Sequence, residues 1–118
     1  MEKSMRLEVL ENANLISRKT VDRAEKMISI IENDVQIDEM KESDGMFITH
    51  LAVALERVLK GEAISDDAID DLIYQEVLQH PKYQECKTLV ASMKRELDLE
   101  MPEVEWKFIQ IHLCNLLS

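Results

Sequence analysis

Apolar positions along this chain recur mostly three and four residues apart, the spacing that lines one side of a helix. Leu7, Leu10, Val21, Ala24, Ile28 and Ile31 follow it, but the polar Asn12-Ala13-Asn14 region interrupts the run and predicts two helical pieces rather than one rod. Ser17 is placed to cap the second piece, because its hydroxyl can accept from the free amides of the following turn, and that helix is expected to reach about Asn33. Glu32 through Ser43 mixes charges with Val35, Ile37 and Met40 at no clean period and reads as an ordered connection.

From Gly45 the pattern turns strongly apolar. Phe47, Ile48, Leu51, Val53, Ala54, Leu55, Val58 and Leu59 cover most of a helix surface before Lys60-Gly61 ends it, so this helix must pack on several sides. Ser65, followed by Asp66 and Asp67, offers an N-cap and two carboxylates to the positive end of the next helix, whose expected stripe is Ile69, Leu72, Ile73, Val77 and Leu78. His80-Pro81 stops it. Pro81 suits a first helical turn, and Tyr83, Cys86, Leu89, Val90, Met93 and Leu97 then form the stripe of a further helix. Pro102 repeats the device before a last helix carrying Trp106, Phe108, Ile109, Ile111, His112, Leu113, Leu116 and Leu117. No segment alternates with period two between turn residues, so the expected fold is all-α. The expected architecture is a compact five-helix bundle of antiparallel helix pairs, with a short N-terminal helical extension over 1–16 and the domain proper over 17–118.

Length and composition narrow the function. With 118 residues the chain fits one domain, and 46% apolar and 32% charged residues with only two glycines and two prolines suit a helix-rich unit. The excess of 24 acidic over 14 basic residues leaves a net charge of −10, which repels a phosphate backbone, so no direct nucleic acid binding is expected. Such a face is more often solvated than a docking surface. No apolar run approaches the roughly 20 residues of a membrane span, and Met1 to Arg6 leads into no signal-type stretch, so no membrane association and a cytoplasmic location are expected. Cys86 and Cys114 read as small buried hydrophobes in a reducing compartment.

Two of the three histidines lie within apolar helical runs: His50 in Phe47-Ile48-Thr49-His50-Leu51-Ala52-Val53-Ala54-Leu55-Glu56-Arg57, and His112 in the run from Glu105 to Leu117. Each imidazole must either find hydrogen-bond partners inside the fold or stand at a surface where its nitrogen is used, and for a lone histidine the first is the commoner outcome. If the two rings face each other, each can present one nitrogen while a neighbour holds the other. A neutral imidazole is a competent nucleophile near pH 7, because its ordinary pKa is about 6.5. Arg57, two helical turns after His50, can reach back toward an added phosphate or pair with Glu56 or Glu105. Asn115, a turn after His112, can orient its ring or simply end the helix. His80 suits capping or solvent exposure and is assigned no chemistry. No histidine or cysteine spacing matches a local metal motif, and two glycines leave no nucleotide loop, so neither metal nor cofactor is expected.

Taken with their neighbours, His50-Leu51-Ala52-Val53-Ala54-Leu55-Glu56-Arg57 and Pro102-Glu103 through Leu117, with the Pro81-Lys82-Tyr83 helix start between them, resemble the paired histidine motifs of the PTS regulation domain (PRD). That family is found in antiterminators and transcription activators of sugar operons. The resemblance runs roughly from Ser17 to the C-terminus. It implies a dimerising five-helix bundle phosphorylated by the phosphocarrier HPr or by enzyme IIB components of the phosphoenolpyruvate:sugar phosphotransferase system. By the same resemblance His50 and His112 are the candidate phosphoacceptors, and Arg57, Glu105 and Asn115 are the motif positions that orient phosphate or ring.

Three features depart from the family pattern. Thr49 stands where many relatives carry Asp, Lys107 stands where a small residue is common, and one copy of the domain is present where relatives usually hold two fused to a nucleic-acid-binding module. The expectation is therefore a non-enzymatic, stand-alone PRD regulatory module. It would form a homodimer carrying phosphohistidine and act on transcription through an unknown regulatory partner protein. The alternative is a constitutive dimeric helical adaptor that has lost phosphotransfer. An enzyme using His112 and Glu105 as an acid/base pair ranks last, since no nucleophile, ligand set or cofactor loop accompanies them.

Overall fold

The computed structural model describes residues 4–97 and 99–118, and every regular element among them is helical. The order is α1 (Met5–Asn12), α2 (Arg18–Glu32), α3 (Glu42–Leu59), α4 (Asp71–Leu78), α5 (Tyr83–Glu96) and α6 (Glu103–Leu117). Two helix ends share one device. Asn14 and Gly61 adopt left-handed backbone (φ 62° and 72°), and the next amide reaches back across the turn, Leu15 N–H to the Leu10 carbonyl and Glu62 N–H to the Arg57 carbonyl. This is why the Asn12-Ala13-Asn14 and Lys60-Gly61 breaks interrupt their apolar runs. Ser17 caps α2 as expected, accepting from Thr20 N–H.

The α2 cap is also a tertiary joint. The Glu56 carboxylate of α3 accepts from the Ser17 amide and from the hydroxyls of Ser17 and Thr20, tying the start of α2 to the end of α3. Burial pushes the Glu56 carboxyl up, but these hydrogen bonds outweigh it and hold the group below its ordinary value.

α3 and α6 are the hub. α3 packs on α1, α2 and α6, while α6 packs on α3, α4 and α5. The bundle has six members rather than five, because the helix in the expected 1–16 extension is built into it; residues 1–3 of that extension lie outside the described residues. Leu7 is fully buried and Leu10 nearly so. The Ser4 hydroxyl, which caps α1, and the Arg6 amide both donate to Glu39 in the α2–α3 connection, whose Ile37 joins the core. α3 begins three residues before Gly45, at Glu42. Gly45 lies inside it, and the Arg6 guanidinium lies across the helix in the space a Cβ at that position would occupy.

The expectation for α4 needs correction. Its N-cap is Asp70, accepting from Leu72 N–H, while Ser65 sits in a separate turn with its hydroxyl donating to Asp67. Of the expected stripe only Val77 is buried among the described residues: Ile69 precedes the helix, and Leu72 and Ile73 are 77% and 49% exposed. Tyr74, outside that stripe, packs against the core beside Val77, its hydroxyl donating to Gln110 Oε1 of α6. A helix of two turns packed chiefly on α6 buries one narrow edge, and tertiary anchoring rather than hydrophobic count selects it.

Leu7→Ala is expected to lower the unfolding free energy by about 3 kcal/mol in urea denaturation. A loss below about 0.5 kcal/mol, the range of ordinary surface substitutions, would show that α1 stands outside the cooperative unit.

Candidate functional site

Helical spacing brings the candidate residues to one seam. On α3, Met46, His50 and Arg57 follow one another at intervals of one and two turns, and on α6 Phe108, His112 and Asn115 do the same at single turns. Where the helices pack, the His50 and His112 rings stack with centroids 3.8 Å apart and planes 13° from parallel. Phe108 meets both edge-on, at 5.8 Å from His50 and 4.7 Å from His112. The pair opens into a groove of about 190 Å³ lined also by Ser43, Met46, Phe47, Asn115 and Leu116.

The rings are held by stacking rather than by polar contacts. Neither imidazole has a hydrogen-bond partner among the described residues, and neither contains a buried nitrogen without one, so the ring nitrogens reach solvent. Partial burial, then the nearby Arg57 charge, lowers the His50 pKa. Burial, then His50 itself, pushes His112 down to about 4. Both imidazoles are therefore neutral at physiological pH with an unbonded lone pair, the form that attacks an electrophile.

Beneath the stack lies a buried ion pair. Glu105 is 0% exposed, and its carboxylate accepts two hydrogen bonds from Arg57, Nε to Oε2 at 3.0 Å and Nη2 to Oε1 at 2.8 Å. Ile64 N–H, in the α3–α4 connection, donates to Oε2 at 3.1 Å. The Arg57 guanidinium also lies over the Phe108 ring, 4.8 Å from its centroid. A continuous line of contacts thus runs from Glu105 through Arg57 and Phe108 to both imidazoles.

Of the residues singled out in the sequence, His50, His112 and Asn115 share the groove, while Arg57 and Glu105 form the clamp beside it. Asn115 is exposed and makes no side-chain hydrogen bond to either ring among the described residues. Thr49 faces away toward α1: its hydroxyl donates to the Gly45 carbonyl and accepts from Arg6. Lys107 points to α4, with Nζ 4.8 Å from the centre of the Tyr74 ring, and supplies no cation to His112. His80 accepts from Lys82 N–H in the turn before α5 and lies 2.9 Å from the Ser118 hydroxyl. Cys86 and Cys114 are buried free thiols, and burial pushes both upward in pKa. Sequence reading missed Phe108 as the shared ring partner and Met46 as a groove wall, although each stands four residues before a histidine on the same helical face.

Two outcomes follow from this geometry. Arg57→Ala leaves Glu105 buried without its counter-charge and is expected to cost about 3 kcal/mol of unfolding free energy; Arg57→Met combined with Glu105→Leu is expected to recover most of it, and a single-variant loss below about 1 kcal/mol would mean the pair behaves as an exposed one. The second concerns pH. Because the folded chain holds His112 near 4 against an ordinary 6.5, the unfolded chain takes up that proton first. Unfolding free energy in urea should therefore fall relative to His112→Gln as pH drops from 7 to 4, with parallel curves counting against a depressed imidazole.

Comparison with curated proteins and with solved structures gives no match. The model of the PRD domain family matches residues 25–116, which include both stacked histidines, the Arg57–Glu105 clamp and all of α3, α4 and α5. The chain therefore belongs to the PRD domain family, regulatory domains associated with the sugar phosphotransferase system.

Proposed function

We propose that this protein is a PRD regulatory module reversibly phosphorylated on histidine by the phosphoenolpyruvate:sugar phosphotransferase system, controlling sugar-operon transcription through a partner protein. The observation that carries this reading is the stacked His50–His112 pair, two neutral imidazoles without hydrogen-bond partners among the described residues, open to one groove. HPr or an enzyme IIB is the donor, and His50 and His112 are the acceptors. Arg57, whose charge already acts on His50, supplies a cation toward an incoming phosphoryl group; Glu105 holds it in place, and the Asn115 amide lines the wall.

The output is electrostatic. A phosphoryl group adds nearly two negative charges to a chain already at −10, which disfavours any acidic interface the groove adjoins. We assign that interface to a homodimer and, through it, to the regulatory partner. The same net charge favours a protein partner over direct contact with nucleic acid. Thr49, engaged by Arg6 rather than by the groove, favours a second reading, a constitutive dimeric adaptor whose binding does not depend on His50.

Incubation with phosphoenolpyruvate, enzyme I and HPr, followed by intact mass measurement, is expected to show an acid-labile phosphoryl group that His50→Ala, His112→Ala or both reduce. Sedimentation of the modified protein should then show a dimer dissociation constant changed by about tenfold. Failure of both phosphorylated HPr and phosphorylated enzyme IIB to modify the chain would leave the constitutive adaptor as the better reading.

A further inference from the structure

α4 keeps an apolar outer face that the bundle does not use. Val77 and Tyr74 account for its packing on the core, while Leu72 and Ile73 stand exposed at adjacent positions with the half-buried Ile69 one turn before them. Isolated exposed leucines are ordinary, but adjoining apolar side chains on a two-turn helix make a ridge left in water. No residue of α4 lines the histidine groove, so the ridge is a separate surface.

The ridge is set in strong negative charge. From Gly61 to Pro81 the chain carries Glu62, Asp66, Asp67, Asp70, Asp71 and Glu76 and no lysine or arginine, a local charge of −6 in a chain whose net charge is −10. All six carboxylates are exposed, and none enters an ion pair among the described residues. Asp70 and Asp67 make only local bonds, to Leu72 N–H and to the Ser65 hydroxyl. The cations bordering the segment are turned elsewhere, Lys60 to Glu56 and Lys107 to the Tyr74 ring. Lys82 lies beyond the C-terminal end of α4, away from the four aspartates at and before its start.

A carboxylate cluster alone marks a solvated face. Leu72 and Ile73 change that, since water satisfies the carboxylates and not the ridge between them. Whatever covers the ridge must also meet the surrounding charge, which fixes the sign of the occupant. A second copy would set one −6 segment against another, and nucleic acid or an anionic lipid surface is repelled in the same way. A protein helix with apolar residues three and four apart and lysine or arginine on both flanks fits ridge and rim together.

We propose that the outer face of α4, the Leu72–Ile73 ridge with the carboxylates around it, is a docking surface for a basic amphipathic helix of another protein. Its occupancy does not require phosphoryl transfer at the groove.

A labelled synthetic helix of leucine and lysine serves as the probe. A Leu/Glu peptide of the same pattern lacks the positive charge, and a Ser/Lys peptide lacks the apolar stripe. Fluorescence anisotropy against the full chain should show saturable binding of the Leu/Lys peptide, at least about tenfold tighter than either control. Amide NMR shifts of the unmodified chain should move in α4 and the connection before it, and not in the residues of the histidine groove. Leu72→Gln with Ile73→Gln should weaken binding about tenfold, as should Asp66→Asn with Asp71→Asn and Glu76→Gln, Asp70 being kept because it caps α4. Met5→Gln with Val9→Gln, at the exposed apolar pair of α1, should leave binding unchanged. Far-UV circular dichroism checks that each variant remains helical. Added salt should weaken the parent's binding more than that of the charge-reduced variant.

Equal binding of the three peptides, or binding that survives both α4 variants, would overturn the proposal. NMR shifts confined to the groove or to α1 would overturn it by placing the peptide elsewhere. Sedimentation in which Leu72→Gln with Ile73→Gln weakens self-association would also overturn it, making a second copy the occupant.

Discussion

A carboxylate with no access to water organises the centre of this bundle. Glu105 enters the interior from α6, where an unpaired charge would be severely destabilising, so its partners must be brought to it. Arg57 comes from α3 and Ile64 N–H from the connection that follows it. Satisfying one buried group therefore sets the placement of α6 against α3 and holds the chain that leaves α3. The same arginine covers Phe108, and Phe108 meets both imidazoles. The stack is a consequence of the placement that the ion pair demands.

That arrangement reconciles two requirements that usually conflict. Imidazoles on apolar helix faces are commonly satisfied by internal hydrogen bonds, which occupy their lone pairs. Here the rings satisfy their apolar surroundings through faces and edges, against each other and Phe108, while their nitrogens remain open to the groove. Partial burial favours the neutral form of each ring, and the buried clamp keeps a positive charge close without a direct bond to either. On the proposed reading, such a site takes its group from an outside donor and needs no enclosed substrate cavity, in keeping with membership of a regulatory family.

Helix existence and most helix ends were legible in the residues because they depend on local chemistry. Ser17 caps α2 through its own next turn, Gly61 ends α3 through its backbone freedom, and the α5 stripe from Cys86 to Leu97 faces inward as its spacing requires. α4 was misread because Ser65-Asp66-Asp67 has the composition of a cap, while the cap that forms is Asp70. The Arg57 alternatives were legible, but the choice of Glu105 over Glu56 was not: Glu56 is occupied by the α2 cap, and neither preference is visible from α3 alone.

The sequence by itself determined an all-helical chain, the breaks between its helices, its acidic surface and the positions of two histidines on apolar runs. It did so because helical period, caps and charge are properties of neighbouring residues. Only the tertiary structure decided that α1 belongs to the bundle, that α4 turns Leu72 and Ile73 outward, and that the two imidazoles meet face to face with no hydrogen-bond partner among the described residues. Those outcomes depend on which distant segments come together. Burying Glu105 with a partner 48 residues away selects among faces that the local pattern leaves equivalent.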